Sequence, residues 1–358
     1  MATTSSSADT ASCSTACPPN RGCLVWIDRH VHKAGGTSIR HVMGKLAAPY
    51  NLSLSRDGLG PKNILSLPMP QHGASCSRFA IEAHEHVWHV FDQWVPQLRA
   101  YERKQPCCRV VLTVRIREPV YHYISMFQWA NIEVRYGPSR QRRNMSLPEL
   151  FEEWAPPNLQ ANNLLGSSFS GFAEGTLRSA GNRTYHQFSA KNYAHAANTL
   201  KCDFDLVYPM ERFSDGLGAI NRLLGFGLSA SQLAKYSDIH IAPHWGSVQV
   251  NENAEWSAKN ADHERERQAT VCPDMARCRA LVERIAPFDV ALYRLANELF
   301  EAHLKDESGG SSGGGASSTR RLRASEQKCP PRTIPARRFE QLGRRAECPC
   351  VRFTDPGV

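Results

Sequence analysis

The sequence has no long apolar run. None of its stretches approaches the roughly 20 consecutive apolar residues that a membrane-spanning helix needs. Residues 1–20, rich in Ser, Thr and Ala, lack the apolar core of a signal peptide. We therefore expect a protein that is soluble inside the cell, or one whose targeting segment lies outside this sequence. Because arginine is nearly absent from residues 1–20, disorder is a simpler interpretation of that stretch than a transit peptide.

Metal-like cysteine spacing is also missing. The twelve cysteines include no pair of CxxC motifs, and Cys107 and Cys108 are adjacent, so the pattern does not predict a zinc site. Cys272 and Cys278, with five residues between them, could instead close a small disulfide loop.

The net positive charge is small over most of the chain. The net charge is +9, but residues 320–358 hold ten Lys or Arg and four Asp or Glu, a net charge of +6. Residues 1–319 therefore carry only +3, and we expect no nucleic-acid partner. The basic tail leaves a polyanion-binding protein as an alternative interpretation.

The chain does have enough apolar sequence for a folded core. With 358 residues, 41% hydrophobic content and seven tryptophans, it reads as a globular protein. We predict a disordered segment at residues 1–22 and one folded domain at 23–305. A third region, 306–358, begins with a Gly/Ser linker at 308–318 and continues as a basic disordered tail.

Short apolar strands alternate with helical patterns along the folded region. Strands are predicted at 24–27, 77–83, 108–114 and 204–208, and helical spacing at 120–129, 190–200 and 279–304. The run at 108–114 is continuously apolar and β-branched, as in a buried parallel strand. This alternation predicts an α/β fold with a central, mostly parallel sheet flanked by helices in three layers. Residues 50–73 are dense in Gly, Pro, Ser and Asn, and are predicted to form a surface loop.

The first predicted strand leads through a polar loop into a helix. The loop contains Lys33, Gly35 and Gly36, and the helix opens on Thr37 and Ser38. Glycines let the backbone approach a phosphate, the helix N-terminus and hydroxyl groups donate hydrogen bonds, and lysine adds positive charge. The segment therefore predicts a phosphate-binding loop. Its lysine precedes the glycines, unlike that of the nucleoside-triphosphatase P-loop, and a plain strand–turn–helix connection is the alternative.

A second candidate for anion binding follows the strand at 108–114. Arg117 comes just after this strand, Pro119 suits the first turn of a helix, and Ser125 lies on that helix. Arg117 and Ser125 could converge on a second phosphate. The alternative is that Arg117 pairs with its neighbour Glu118 and that the serine has no ligand.

Two histidines directly follow the strand at 77–83. His84 and His86 flank Glu85, at the end of a strand where α/β proteins bind their ligands. A histidine in this position can act as a general base near neutral pH. The pair would also suit zinc, but no third ligand occurs at a recognisable spacing, so we expect no metal.

Together these motifs resemble the carbohydrate sulfotransferases that use 3′-phosphoadenosine 5′-phosphosulfate (PAPS), especially the Golgi enzymes that sulfate the 2-O position of glycosaminoglycan hexuronic acids. Residues 32–38, HKAGGTS, are similar to the 5′-phosphosulfate loop of that family. Arg117-Glu118-Pro119 with Ser125 resembles its 3′-phosphate motif, and His84-Glu85-His86 its catalytic-base motif. Further similar segments occur in the expected order at 158–160, 211–213 and 289–293, so the similarity spans about 24–304.

The resemblance implies a P-loop-like catalytic domain at 23–305 that moves a sulfuryl group from PAPS, without a metal, to an acceptor hydroxyl. Lys33 would bind the 5′-phosphate and stabilise charge on the leaving oxygen. Arg117 and Ser125 would hold the 3′-phosphate. The rest of the anion cradle would comprise Ala34, Gly35, Gly36, Thr37 and Ser38.

On the acceptor side, the resemblance assigns the role of base to His86, with His84 assisting. Glu85, or Glu82 before it, is the alternative base, because the related enzymes carry a small residue between the two histidines. The implied partner is a glycan or another hydroxyl-bearing acceptor. A nucleotide-kinase-like phosphate-binding enzyme remains the alternative to the sulfotransferase.

The resemblance also implies the Golgi lumen, where such enzymes are membrane-anchored glycoproteins. No anchor or signal is visible in this sequence, so the cytosol or another organelle is the alternative. N-glycosylation sequons permit a secretory location, and they begin at Asn51, Asn144 and Asn182.

Overall fold

A computed structural model describes most of the predicted folded domain. The residues it describes are 23–31, 33–55, 78–83, 95–96, 98–100, 102–103, 108–128, 145–165, 189–237, 266 and 268–309.

A five-stranded sheet organises these residues. Its strands are β1 (Cys23–Arg29), β2 (Leu52–Ser55), β3 (Arg78–Ala83), β4 (Cys108–Ile116) and β5 (Leu206–Pro209). They lie in the order β2-β3-β1-β4-β5, and each neighbouring pair is parallel. The predicted parallel sheet is therefore confirmed.

Strand β2 corrects the prediction of a surface loop at 50–73 for its residues 52–55, and residues 56–73 lie outside the described part of the chain. Leu52 is buried and Ser53 is exposed, which is the two-residue alternation of a strand with one face on the core. The strand has four residues and pairs only with β3 among the described strands, so it forms an edge of the sheet. Such a short run is hidden in the sequence by the Gly, Pro and Asn residues around it.

Helices connect the strands and cover both faces of the sheet. They are α1 (Gly36–Ala47), α2 (Pro119–Phe127), α3 (Leu147–Trp154), α4 (Leu159–Leu165), α5 (Ala190–Cys202), α6 (Phe213–Leu224), α7 (Ala230–Ser237), α8 (Met275–Ile285) and α9 (Pro287–Gly309). The helical pattern predicted over 279–304 is divided between α8 and α9, because Pro287 disfavours helical geometry at Ala286. Helix α9 continues to Gly309, two residues into the predicted linker.

Alternate residues of β1 pack on opposite faces of the sheet. Leu24 and Trp26 join the core beneath α1 and α6, whereas Val25 and Ile27 join the core beneath α4 and α5. Because side chains alternate along a strand, a central strand with both faces covered must be apolar throughout. This arrangement confirms the three-layer α/β fold.

The order of the strands creates a crevice beside β1. From β1 the chain passes through α1 to β2 on one side of the sheet, and from β4 it continues to β5 on the other side. Open parallel sheets bind ligands where the connections diverge in this way, outside the carboxyl ends of the strands. The loop after β1 and the residues after β4 therefore meet at the expected position for a ligand.

A buried ion pair joins β1 and β4 just below this crevice. Arg115 Nη2 lies 2.5 Å from Asp28 Oδ2, and both side chains are fully buried. Thr113 donates to the other carboxylate oxygen of Asp28 at 2.7 Å, and the indole of Trp26 donates to Thr113 at 3.1 Å. These hydrogen bonds satisfy polar groups of Asp28, Thr113 and Trp26, and they offset part of the free-energy cost of burying the two charges.

The disulfide loop that the sequence allows is present. Cys272 and Cys278 are joined, which ties the residues before α8 to the first turn of that helix. Across the described residues, no helix combines the length and apolar character that a membrane crossing requires.

Removal of the buried carboxylate should strongly destabilise the fold. We expect Asp28→Ala to lower the free energy of unfolding by about 3–5 kcal/mol, because Arg115 would keep its charge in a buried site without a counter-ion. Urea unfolding followed by circular dichroism measures the change.

The matched control is Asp306→Ala, since Asp306 is an exposed acid near the end of α9. Its effect should stay within about 0.5 kcal/mol. A stability of Asp28→Ala equal to that of the control would contradict a structural role for the ion pair.

Candidate functional site

The loop after β1 turns sharply before α1 begins. Lys33 and Gly35 have left-handed backbone conformations, with φ of 58° and 80°. Glycine adopts this conformation without strain, whereas lysine does so rarely, so the turn at Lys33 depends on contacts that hold it. Gly35 is the N-cap residue of α1 and has no side-chain oxygen with which to cap the helix. The first N–H groups of α1 and the positive end of its dipole lie at the carboxyl edge of the sheet.

Both glycines of the loop lie against side chains from other parts of the chain. A Cβ atom on Gly36 would overlap the imidazole ring of His30, and one on Gly35 would overlap the end of Met210. His30 follows β1 and is buried, and Met210 directly follows β5. The sequence suggests a bound phosphate as the reason for these glycines, and the structure adds close packing within the protein.

Two arginines at the end of β4 bond to two carbonyl groups of the loop. Arg115 Nη1 donates to the Gly35 carbonyl at 2.6 Å, and Arg117 Nη1 donates to the Lys33 carbonyl at 3.0 Å. The arginines are two residues apart, as are the carbonyl groups that they hold. Since Lys33 and Arg117 come from separate predicted anion-binding motifs, the structure brings those two motifs into contact.

The other predicted phosphate ligands lie on the same two segments. Ala34 is buried in the loop, and Ser38 is buried in the first turn of α1. Ser125 is buried on α2, the helix that starts two residues after Arg117. Thr37 lies in the first turn of α1, where the structure describes its backbone.

Glu118, the alternative partner for Arg117, makes other contacts. As the N-cap of α2, its carboxylate accepts a hydrogen bond from the Tyr121 backbone N–H at 3.0 Å. It also pairs with Arg279 on α8, whose Nη1 lies 2.6 Å away. The bond to Glu118 raises the pKa of Arg279 above its usual value. Glu118 thus caps α2 and ties it to α8.

Sequence reasoning gave no role to Gln160, which bonds to the backbone of Arg117. Arg117 N donates to Gln160 Oε1 at 2.7 Å, and Gln160 Nε2 donates to the Arg117 carbonyl at 2.8 Å. The backbone N–H of Gln160 in turn donates to Asp289 at 2.9 Å. These partners are 43 and 129 residues apart in sequence, so no local pattern could reveal them. Only the family resemblance pointed to their segments.

Asp289 holds the first turn of α4. Its two carboxylate oxygens accept the backbone N–H groups of Gln160 and Ala161, at 2.9 and 2.7 Å. Desolvation by burial raises the pKa of Asp289 to about 7, although both N–H bonds act in the opposite direction. Burial of a carboxyl group costs free energy unless hydrogen bonds compensate for it. The two backbone bonds of Asp289 provide that compensation and fix the first turn of α4.

Glu211 is a second carboxylate whose role the sequence did not reveal. It is the second residue after β5, and its Oε1 accepts the backbone N–H of Glu118 at 2.9 Å. Although much of the residue is exposed, desolvation of the carboxyl group raises the pKa of Glu211. Burial and the charge of Glu211 raise the pKa of Tyr293 to about 12. Glu211 therefore joins the ends of β4 and β5.

The candidate bases His84 and His86, and the alternative Glu85, lie outside the described residues. Of Glu82, the structure describes only the backbone. Strand β3 ends at Ala83, whose carbonyl accepts the backbone N–H of His30 at 3.0 Å. Strand β3 thus ends beside His30, the residue that packs under Gly36.

No protein-family model, curated protein or solved structure matches the chain. We therefore infer the function from the residues of the crevice and from their contacts.

Because His30 packs under α1, we expect alanine substitutions at two glycines of this helix to have opposite effects on stability. Gly36→Ala should lower the free energy of unfolding by about 1–3 kcal/mol, because the new methyl group overlaps the His30 ring. Gly44→Ala should raise it by about 0.5–1 kcal/mol, because Gly44 has open space around its Cα and alanine favours the helix. Urea unfolding measures both changes.

The double variant His30→Ala/Gly36→Ala identifies the cause. Because the shortened side chain makes room for the methyl group, its loss of stability should be smaller than the sum of the two single losses. Additive losses, or a Gly36→Ala variant as stable as Gly44→Ala, would rule out this packing.

Proposed function

We propose that this protein is a PAPS-dependent sulfotransferase that transfers a sulfuryl group to a hydroxyl of a glycan. The observation that carries the proposal is the hydrogen bond from Arg117 to the Lys33 carbonyl. It joins two segments that are 84 residues apart and that each suit a phosphate. A nucleotide with separate 5′- and 3′-phosphates fits a pair of adjacent anion sites better than a ligand with one phosphate group.

The loop and α1 suit the 5′ side of such a nucleotide. The first turn of α1 contains no acidic residue, and its N–H groups and dipole favour an anion. Lys33, which is partly exposed, adds a positive charge directly before them. Asp28 neutralises the buried Arg115, so Arg115 supports the loop while Lys33 supplies charge for a ligand.

Arg117 and Ser125 suit the 3′-phosphate. A guanidinium carries five N–H donors in a fixed fork, so Arg117 can bond both the Lys33 carbonyl and a phosphate oxygen. Ser125 adds a hydroxyl donor from α2. These donors fit a phosphate by charge and hydrogen-bonding capacity.

The proposed transfer proceeds in line. The acceptor oxygen bonds to sulfur while the bond between sulfur and the 5′-phosphate oxygen breaks, and adenosine 3′,5′-bisphosphate leaves. Lys33 and the N–H groups of α1 stabilise the negative charge that develops on the leaving oxygen. His86 takes the acceptor proton, assisted by His84, and both histidines directly follow β3 in the sequence.

The disulfide between Cys272 and Cys278 supports a luminal location for this enzyme. Disulfides persist in oxidising compartments of the secretory pathway and are rare in the cytosol. We therefore propose the Golgi lumen, where glycan acceptors are available, as the site of action.

The donor site can be tested by calorimetric binding of four nucleotides: adenosine 3′,5′-bisphosphate, AMP, ADP, and ATP with magnesium. We expect the bisphosphate to bind best, because AMP differs from it only by the 3′-phosphate. Arg117→Ala should remove most of this preference, a loss of about 10- to 100-fold for a charge-assisted phosphate contact. Lys33→Ala should weaken the bisphosphate and AMP alike, since both carry the 5′-phosphate.

Arg222→Ala is the control for these variants, because Arg222 is an exposed arginine on α6, outside the crevice. It should leave all four affinities unchanged. Equal or better binding of ATP with magnesium by the unmodified protein would overturn the sulfotransferase proposal and favour a kinase-like enzyme.

The proposed base can be tested by sulfate transfer from radiolabelled PAPS to desulfated heparan, dermatan and chondroitin chains. His86→Ala should lower the turnover rate by about 100-fold or more, which is the usual contribution of a general base. Its affinity for adenosine 3′,5′-bisphosphate should not change. Glu85→Gln and Glu82→Gln are the comparison variants, and full activity of His86→Ala beside a loss in either of them would move the base to that glutamate.

A further inference from the structure

The backbone of Arg117 lies just beyond the hydrogen-bond ladder of the sheet. Strand β4 ends at Ile116, and its pairing with β5 ends at the same residue, which lies opposite Pro209. The N–H and carbonyl groups of Arg117 therefore need partners from elsewhere. Gln160 supplies both partners, with hydrogen bonds of 2.7 and 2.8 Å. It thus has the hydrogen-bonding role that a neighbouring strand has for the residues of β4.

This contact requires the chemistry of an amide side chain. Its oxygen accepts the Arg117 N–H while its nitrogen donates to the Arg117 carbonyl, which fixes the peptide groups on both sides of the residue. A carboxylate could accept but not donate, and an apolar side chain could do neither. Gln160 thus fixes the backbone from which the Arg117 side chain extends.

Gln160 is itself firmly held. It is fully buried on α4, and the carboxylate of Asp289 accepts its backbone N–H and that of Ala161. Helix α4 also packs Ala161 and Leu164 into the core beneath the sheet. Because these contacts already dock the helix, the side chain of Gln160 is available to orient Arg117.

We propose that Gln160 is the positioning residue that orients Arg117 toward the 3′-phosphate and thereby determines the preference for a 3′-phosphorylated nucleotide. This inference rests on the proposed function and adds a specificity-determining residue to it. Gln160 acts through Arg117 and needs no contact with the ligand.

The test measures the ratio of affinities for adenosine 3′,5′-bisphosphate and AMP, by calorimetry, in the full chain. Gln160→Glu and Gln160→Met both keep the approximate length of the side chain, but an ionised glutamate can only accept and a methionine cannot donate, so measurement above about pH 8 keeps the glutamate ionised. We expect each to lower the ratio about tenfold, because a misdirected Arg117 loses the 3′-phosphate, while the affinity for AMP falls by much less. A purely structural role would lower both affinities together and leave the ratio intact.

Two further variants separate the causes. In an Arg117→Ala background, Gln160→Met should not lower the ratio further, because the residue through which it acts is already gone. Asn162→Ala is the matched control, since Asn162 is also a buried amide on α4 but donates to the Pro157 and Asn158 carbonyl groups. It should lower the melting temperature without changing the ratio.

The outcomes distinguish this inference from the proposed function. If the unmodified protein binds AMP as well as the bisphosphate, the proposed function fails. If it prefers the bisphosphate and both Gln160 variants keep that preference, the proposed function stands and the positioning role of Gln160 is overturned. A fall in the ratio equal in Asn162→Ala and the Gln160 variants would also overturn it.

Discussion

The candidate site depends on one buried guanidinium. Arg115 pairs with Asp28 below the crevice and also donates to the Gly35 carbonyl above it. Moving these charges out of water costs several kcal/mol, so the pair is a poor way to gain stability alone. The ion pair instead helps to fix the position of Gly35, which lies between the left-handed turn at Lys33 and the start of α1. An apolar core residue at position 115 could not hold that carbonyl, because it has no hydrogen-bond donor.

The two arginines at the end of β4 have different roles. Arg115 has its charge matched by Asp28 and acts on the loop from inside the protein. Arg117 directly follows the strand, its side chain holds the Lys33 carbonyl, and its backbone is bonded to Gln160. One strand end therefore supports both a structural contact and a proposed ligand contact.

Parallel strands explain how such distant residues meet. All five carboxyl ends lie at one edge of the sheet, so the described segments after β1, β4 and β5 reach the same region. Glu211 after β5 and Glu118 after β4 are joined there. Asp289 reaches the region from α9, through the first turn of α4. The helices thus fix the orientation of residues that the strands bring together.

The sequence alone determined the layers and the main strands, because the apolar run at 108–114 and the alternating helical patterns are short-range signals. It also located the loop at Lys33–Ser38 and the arginine at 117, since glycines and basic residues after a strand are local patterns as well. Strand β2 and the roles of Gln160 and Asp289 were decided by the tertiary structure. Their partners are far away in sequence, and hydrogen bonds between such residues exist only once the chain has folded.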